Sequence, residues 1–126
     1  MSSREEWIKA DLLKCNVQLE DICSLDKLDE STAEKALSIL LEYACYGQHI
    51  EGIELGRREI AKIPKTWLKS HLLAVVKNSF EYSDDWNYRR LLELVVKLVP
   101  ELKNDILSIN YGTTDPSLID VMEDYR

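Results

Sequence analysis

The chain has 126 residues and a formal net charge of −7, with 16 Lys and Arg against 23 Asp and Glu. This length fits one domain whose single apolar core needs no disulfide or metal to hold it. Because proteins that bind DNA or RNA normally carry a basic patch, the acidic balance disfavours nucleic acid as a direct ligand and favours a basic protein partner.

The first segment, MSSREEWIKADLL, is acidic where a signal peptide would be basic and then continuously apolar. No apolar run approaches 18 residues, so we expect a cytoplasmic protein without a membrane span. SREEWIKADLLKC and VQLEDIC predict two short helices. Cys15, Cys23 and Cys45 lie among apolar neighbours without a CxxC pair, which predicts buried free thiols.

The stretch STAEKALSILLEYACYG predicts a longer helix, with Ser31 as its N-cap, Glu34 completing a capping box and Gly47 as its stop. Its apolar residues recur at intervals of three and four from Ala33 onwards, as on one buried helix face. His49 follows Cys45 by four residues, a spacing that can hold a metal. Gly47 intervenes and no second Cys or His pair follows, so we predict no metal site.

HIEGIELGRREIAKI predicts the next helix, in which Gly52 and Gly56 are four residues apart and can allow a neighbouring helix to come close. IPKTWLKSHLLAVVKNS predicts a further helix that begins near Pro64. His71 lies at the edge of its apolar stripe, which indicates a polar rim residue and not a general base. The buried positions expected in these two helices are Ile53, Gly56, Ile60, Ile63, Leu68, Leu72, Val75 and Val76.

The stretch YSDDWNYRRLLELVVKLVP contains a cap followed by an apolar stripe. Ser83, Asp84 or Asp85 can accept the free amides at the helix start. Pro100 ends this helix, and at least one of Arg89 and Arg90 is expected to pair with a nearby acid such as Asp85 or Glu93. The stripe consists of Tyr88, Leu91, Leu92, Val95 and Leu98 or Val99.

Two helices are predicted after Pro100. The first carries Leu102, Ile106 and Ile109 and closes at Gly112, and Asp115 with Pro116 begins the second. No run alternates apolar and polar residues between turn signals, so no strand is predicted. The fold class is therefore all-α, as a single helical domain over residues 1–126.

A weak internal repeat indicates how the helices are arranged. At an offset of 34 residues, Leu68-Lys69 aligns with Leu102-Lys103, and Leu72-Leu73 aligns with Ile106-Leu107. The repeat predicts antiparallel helix pairs stacked as a short α-α superhelix of the HEAT or armadillo kind, with two such pairs between residues 31 and 99. A compact helical bundle is the alternative.

No motif for catalysis or for a cofactor is found. The chain has no Gly-rich phosphate loop, GxSxG elbow or HExxH pair, so we predict a protein that is not an enzyme and needs no cofactor. Trp7, Trp67 and Trp86 have two interpretations. They fill wedges between helices, which we favour, or some of them line an exposed groove as binding anchors.

Three segments, GIELGRREIAKIPKTWL, DDWNYRRLLEL and DPSLIDVMEDY, resemble small all-helical bacterial proteins with HEAT-like repeats, among them immunity proteins that neutralise toxins. The resemblance covers about residues 45–126. It implies a non-catalytic protein-binding module that binds and neutralises a cognate toxin, and it assigns no role to any residue. A generic helical scaffold or adaptor and a small-molecule-binding regulator are the alternatives.

Acidic residues in the turns and in the final helix are the candidates for partner binding. In a stacked array such turns lie along one edge, where charges act mainly on the association rate with a basic partner such as a toxin domain. The alternative is that several of them only cap helices. The candidates are Glu81, Asp84, Asp85, Asp115, Asp120 and Asp124.

Overall fold

A computed structural model describes residues 3–126 of the chain, and those residues are mostly helical. Two 3-10 helices, Leu19–Lys27 and Pro100–Leu102, join the α-helices, and residues 3–126 contain no β-strand. The all-α prediction is confirmed. The α-helices are α1 (Ser3–Leu13), α2 (Glu30–Cys45), α3 (Ile50–Ala61), α4 (Lys65–Ser79), α5 (Asp85–Leu98), α6 (Lys103–Ile109) and α7 (Pro116–Tyr125).

Aspartates cap three of these helices. The Asp84 carboxylate accepts a hydrogen bond from the Asn87 amide at 3.0 Å, and Asp115 caps α7 in the same way. The prediction of Ser31 as the cap of α2 is wrong, because Asp29 accepts from the Thr32 amide at 3.1 Å and the helix begins at Glu30. The Asp29 carboxylate also accepts from the Thr32 hydroxyl, which fixes this earlier start.

The predicted apolar stripes are buried, except that Ile109 is only partly buried, and they form one continuous core to which every α-helix contributes. Tyr88 of α5 is fully buried, and its hydroxyl donates to the Ile106 carbonyl of α6 at 2.8 Å and lies 3.2 Å from the Leu107 carbonyl. Burial raises the pKa of Tyr88 to about 12, so the hydroxyl stays protonated and remains a donor at neutral pH.

Helix α2 lies at the centre and contacts α1, α3, α4 and α5. Its most extensive contact is with α3, as predicted for the first helix pair. The second predicted pair is not found, because α4 packs on α2 and α6 while α5 packs on α2, α6 and α7. Helix α5 buries a wide face that includes Leu91, Leu92 and Leu94, and one partner helix does not cover a face of that width. The arrangement favours the compact alternative over two stacked pairs.

The two glycines of α3 differ in their surroundings. A Cβ atom at Gly56 would lie 2.6 Å from the Ala44 nitrogen of α2, so only glycine fits this crossing. A Cβ at Gly52 would meet nothing within 4 Å. The predicted close approach is therefore confirmed for Gly56 and wrong for Gly52.

The three cysteines are free thiols in different environments. Cys45 is buried, and burial raises its pKa to about 12, so the thiol is protonated and unreactive. Cys15 is partly buried, whereas Cys23 is exposed, so the prediction of a buried thiol is wrong for Cys23. Cys23 lies in the 3-10 helix beside the buried Ile22, on the side that faces solvent. Within residues 3–126 no helix has both the length and the apolar character needed to cross a membrane.

Candidate protein-binding surface

An exposed tryptophan is held at the start of α5. Trp86 is 38% exposed, and its indole N–H donates to the Gly47 carbonyl, in the turn between α2 and α3, at 3.2 Å. On the other side the Arg90 guanidinium lies over the indole, with its Cζ 4.1 Å from the ring centroid. The indole is therefore fixed by two elements while part of its surface stays open to solvent.

Arg90, which stacks on Trp86, is itself held by a network of ion pairs. Arg90 Nη1 lies 3.0 Å from Glu93 Oε1, which confirms the predicted pairing within α5. Arg57 of α3 approaches the other Glu93 oxygen at 3.5 Å. The Nε atoms of both arginines are buried and have no hydrogen-bond partner among residues 3–126. Glu93 thus bridges α3 and α5 and restrains the Arg90 side chain that stacks on Trp86.

The turn between α4 and α5 is fastened through its backbone. The Glu81 amide donates to the Tyr46 hydroxyl at 2.7 Å, and burial raises the pKa of Tyr46, which keeps that hydroxyl neutral. Two buried asparagines bind the carbonyls of the turn, Asn87 that of Glu81 at 3.4 Å and Asn110 that of Tyr82 at 2.9 Å. The turn therefore presents its carboxylates from a rigid backbone.

All six acidic residues predicted for partner binding are exposed. Asp84 and Asp115 are caps, and Asp124 forms an ion pair of 2.7 Å with Arg89. Glu81 accepts from the Ser83 hydroxyl at 3.2 Å. The side chains of Asp85 and Asp120 make no hydrogen bond or ion pair to residues 3–126. Among the six candidates, only these two carboxylates have no partner or capping role in that part of the chain.

The six acids differ in how they are placed relative to Trp86. Glu81, Asp84 and Asp85 are on the turn and first residue that precede Trp86, and the Arg89 pair brings the last turn of α7 against the second turn of α5. Asp120 precedes Asp124 by one helical turn. Asp115 is nine residues before Asp124, about 13 Å along the axis of α7, and so lies apart from Asp124.

An exposed aliphatic side chain extends the surface. Ile50 is 70% exposed at the start of α3, three residues after the Gly47 that binds Trp86. Three residues span at most about 11 Å, so the backbone of Ile50 lies within about that distance of Gly47, which binds the indole. We refer to Trp86, Ile50, Glu81, Asp84, Asp85, Asp120 and Asp124 together as the Trp86 surface.

The favoured interpretation of the tryptophans as wedge fillers is wrong for Trp7 and Trp86, which are 52% and 38% exposed, and Trp67 is only partly buried. The sequence contained a signal for Trp86. Trp86, Arg90, Glu93 and Lys97 recur at intervals of four, three and four, which is the polar face of α5 opposite the stripe.

Two groups of residues carry side chains of the kinds that bind metal ions. Cys45 is buried in the last turn of α2, whereas His49 is exposed before α3, so the spaced pair has no shared helix face. A second set was missed from the sequence: Glu30, Glu34 and His71 each offer a ligand atom, and these atoms lie within 4.8 Å of one another. Only the Glu30 and Glu34 spacing on α2 is visible in the sequence, because His71 comes from α4.

The chain matches no protein-family model, no curated protein and no solved structure. The resemblance to HEAT-like immunity proteins therefore stays a prediction, as do the absence of catalysis and the identity of a partner.

Proposed function

We propose that the chain is a non-catalytic protein-binding module that binds a basic protein through the Trp86 surface. The observation that carries the proposal is the exposed indole of Trp86, held by Gly47 and Arg90 instead of being buried in the core. Tryptophan is the side chain most enriched among residues that dominate binding energy, and a fixed rotamer loses little entropy on binding.

The charge around Trp86 favours a basic partner. The Trp86 surface includes five carboxylates, and the whole chain carries a net charge of −7. Complementary charge at the rim of an interface accelerates association and suppresses unsuitable partners. Two of these carboxylates, Asp85 and Asp120, have no partner among residues 3–126 and are available to a cation.

The particular role that we propose is that of a cytoplasmic immunity protein whose partner is a toxin domain. Toxin domains that attack nucleic acid need a basic surface for their substrate, and an acidic protein that occupies that surface blocks it. The support is the three resembling segments together with the acidic rim. A helical scaffold or adaptor would use the same surface for a different basic protein.

The rim charges are tested with two matched double variants. Asp84→Asn with Asp85→Asn removes two charges from the Trp86 surface and keeps the cap, because Asn caps as well as Asp. Asp26→Asn with Asp29→Asn removes two charges near the other end of α2, about 24 Å away, and keeps the α2 cap. We expect the first pair alone to slow association with the partner, by about 3- to 10-fold at low salt.

The indole is tested by Trp86→Ala, measured by isothermal titration calorimetry. We expect the Kd to rise by about 30-fold or more, equal to about 2 kcal/mol. Trp86→Phe keeps a ring under Arg90 and loses the bond to Gly47, so a smaller loss is expected. Equal affinity of parent and Trp86→Ala, in a variant that retains its helical circular dichroism, contradicts the proposed surface.

The toxin role is tested with the product of the gene that neighbours this one. Its expression should arrest growth, and co-expression of this chain should restore growth. The Trp86→Ala variant should fail to restore growth at equal protein level. A neighbouring product that binds the chain but is harmless would refute the immunity role and leave the protein-binding role standing.

A further inference from the structure

A three-residue cluster joins the N-terminal end of α2 to the middle of α4, away from the Trp86 surface. His71 of α4 is 20% exposed, and its Nδ1 faces Glu34 Oε2 at 3.3 Å and Glu30 Oε1 at 3.5 Å. The imidazole stacks on Trp67, with ring centroids 4.3 Å apart and an angle of 15° between the planes. The stacking restrains the ring while Nδ1 points at both carboxylates.

The separations match those between ligands of a tetrahedral metal ion. Zn²⁺ binds histidine nitrogen and carboxylate oxygen at about 2.0 to 2.2 Å, which places neighbouring ligand atoms of a tetrahedron about 3.4 Å apart. The two distances from Nδ1, 3.3 and 3.5 Å, have this length. The remaining pair of oxygens lies within 4.8 Å, and the side chain of Glu30 is 73% exposed and free to close that edge.

The cluster also has more acceptors than donors. A neutral imidazole can offer one N–H at Nδ1, which can serve only one of the two carboxylates well. Even a protonated imidazole leaves one negative charge in excess. A divalent cation at this point would satisfy both carboxylates and the nitrogen together.

We propose that Glu30, Glu34 and His71 form a binding site for a divalent transition-metal ion, with Zn²⁺ as the ion that fits the donor set. One nitrogen and two carboxylate oxygens supply three ligands, and water fills the fourth position. The ion joins α2 to α4 and stabilises their packing. This site is independent of the proposed protein-binding function, which uses other residues.

The test is titration of Zn²⁺ into the Cys23→Ser protein, which removes the exposed thiol as a competing ligand. We expect binding of one ion, detected by calorimetry, and a rise in Tm of about 10 °C at a free Zn²⁺ concentration of 100 times the Kd. The chain has two histidines, so NMR distinguishes them. The ring signals of His71 should shift on addition of Zn²⁺ while those of His49 stay in place.

Conservative variants locate the ion. His71→Gln, Glu30→Gln and Glu34→Gln should each weaken Zn²⁺ binding at least about 10-fold, whereas His49→Gln should leave it unchanged. Glutamine keeps the size of each carboxylate side chain, so loss of binding with an unchanged far-ultraviolet spectrum is not caused by unfolding. Unchanged binding in His71→Gln, or no binding at millimolar free Zn²⁺, overturns the proposal.

Discussion

The two glycines of α3 offer a test in which one substitution should have opposite effects at positions four residues apart. Gly56→Ala places a Cβ 2.6 Å from the Ala44 nitrogen and 3.0 Å from its Cα. Ordinary contacts begin at 3.4 Å, so α2 and α3 must separate by about 0.8 Å, the difference between 3.4 and 2.6. The opposing atoms belong to backbone and cannot move aside as a side chain would.

The expected cost follows from the extent of that contact. A gap of 0.5 to 1 Å removes about a quarter to a half of the dispersion energy of the atoms that it separates, and overpacking typically costs about 3 kcal/mol at its upper end. Alanine is favoured over glycine by about 1 kcal/mol within a helix. We therefore expect Gly56→Ala to lower the free energy of unfolding by about 2 kcal/mol.

Gly52→Ala is the matched control, because it makes the same chemical change in the same helix without a close neighbour. It should raise the free energy of unfolding by about 0.5 to 1 kcal/mol through helix propensity alone. Urea denaturation of both variants, with the slope m compared to that of the parent, measures the difference. If Gly56→Ala is as stable as Gly52→Ala, the deduced closeness of α2 and α3 is wrong.

Three further substitutions test the core, a cap and a charged contact. Leu92→Ala should lower the free energy of unfolding by about 2 to 5 kcal/mol, because Leu92 is fully buried, and an unchanged denaturation midpoint would contradict its place in the core. Asp84→Ala should cost about 0.5 to 2 kcal/mol and Asp84→Asn much less; equal losses would show that charge and not capping matters. The hydrogen bond from Tyr43 lowers the pKa of Asp11 below the ordinary value of an aspartate, so the stabilisation from this carboxylate is present above the unfolded pKa and is lost as pH falls through the folded pKa. Asp11→Asn should therefore destabilise by about 1 kcal/mol at pH 7 and by less below about pH 4, as thermal melts at both pH values would show.

Local sequence patterns predicted the helices, because the buried face and the N-cap of a helix are determined by residues that are close together in the sequence. The stripe of α5 and its Asp84 cap needed only spacing and side-chain chemistry. Which helices pack against each other could not be predicted from such local patterns. Whether α5 meets α4 or α7 depends on how wide its apolar face is and on which other faces are left uncovered.

The candidate sites likewise depend partly on local sequence patterns and partly on contacts between residues that are far apart in the sequence. The exposure of Trp86 could have been inferred from its place on the polar face of α5. The contact of Trp86 with Gly47 joins residues that are 39 positions apart in the sequence. The contact of His71 with Glu30 joins residues that are 41 positions apart. Helical periodicity carries no information over such separations, because it repeats identically whichever helix lies opposite.

The hydroxyl of Tyr88 has a consequence for the order of folding. Helix α6 has seven residues, fewer than the about 12 to 15 that an isolated helix needs in water. Its Ile106 carbonyl is bound by Tyr88, so α6 becomes stable only on a docked α5. The segment from Lys103 to Ile109 therefore belongs to the same cooperative unit as α5, and its slowest amides should exchange with solvent only when α5 itself opens.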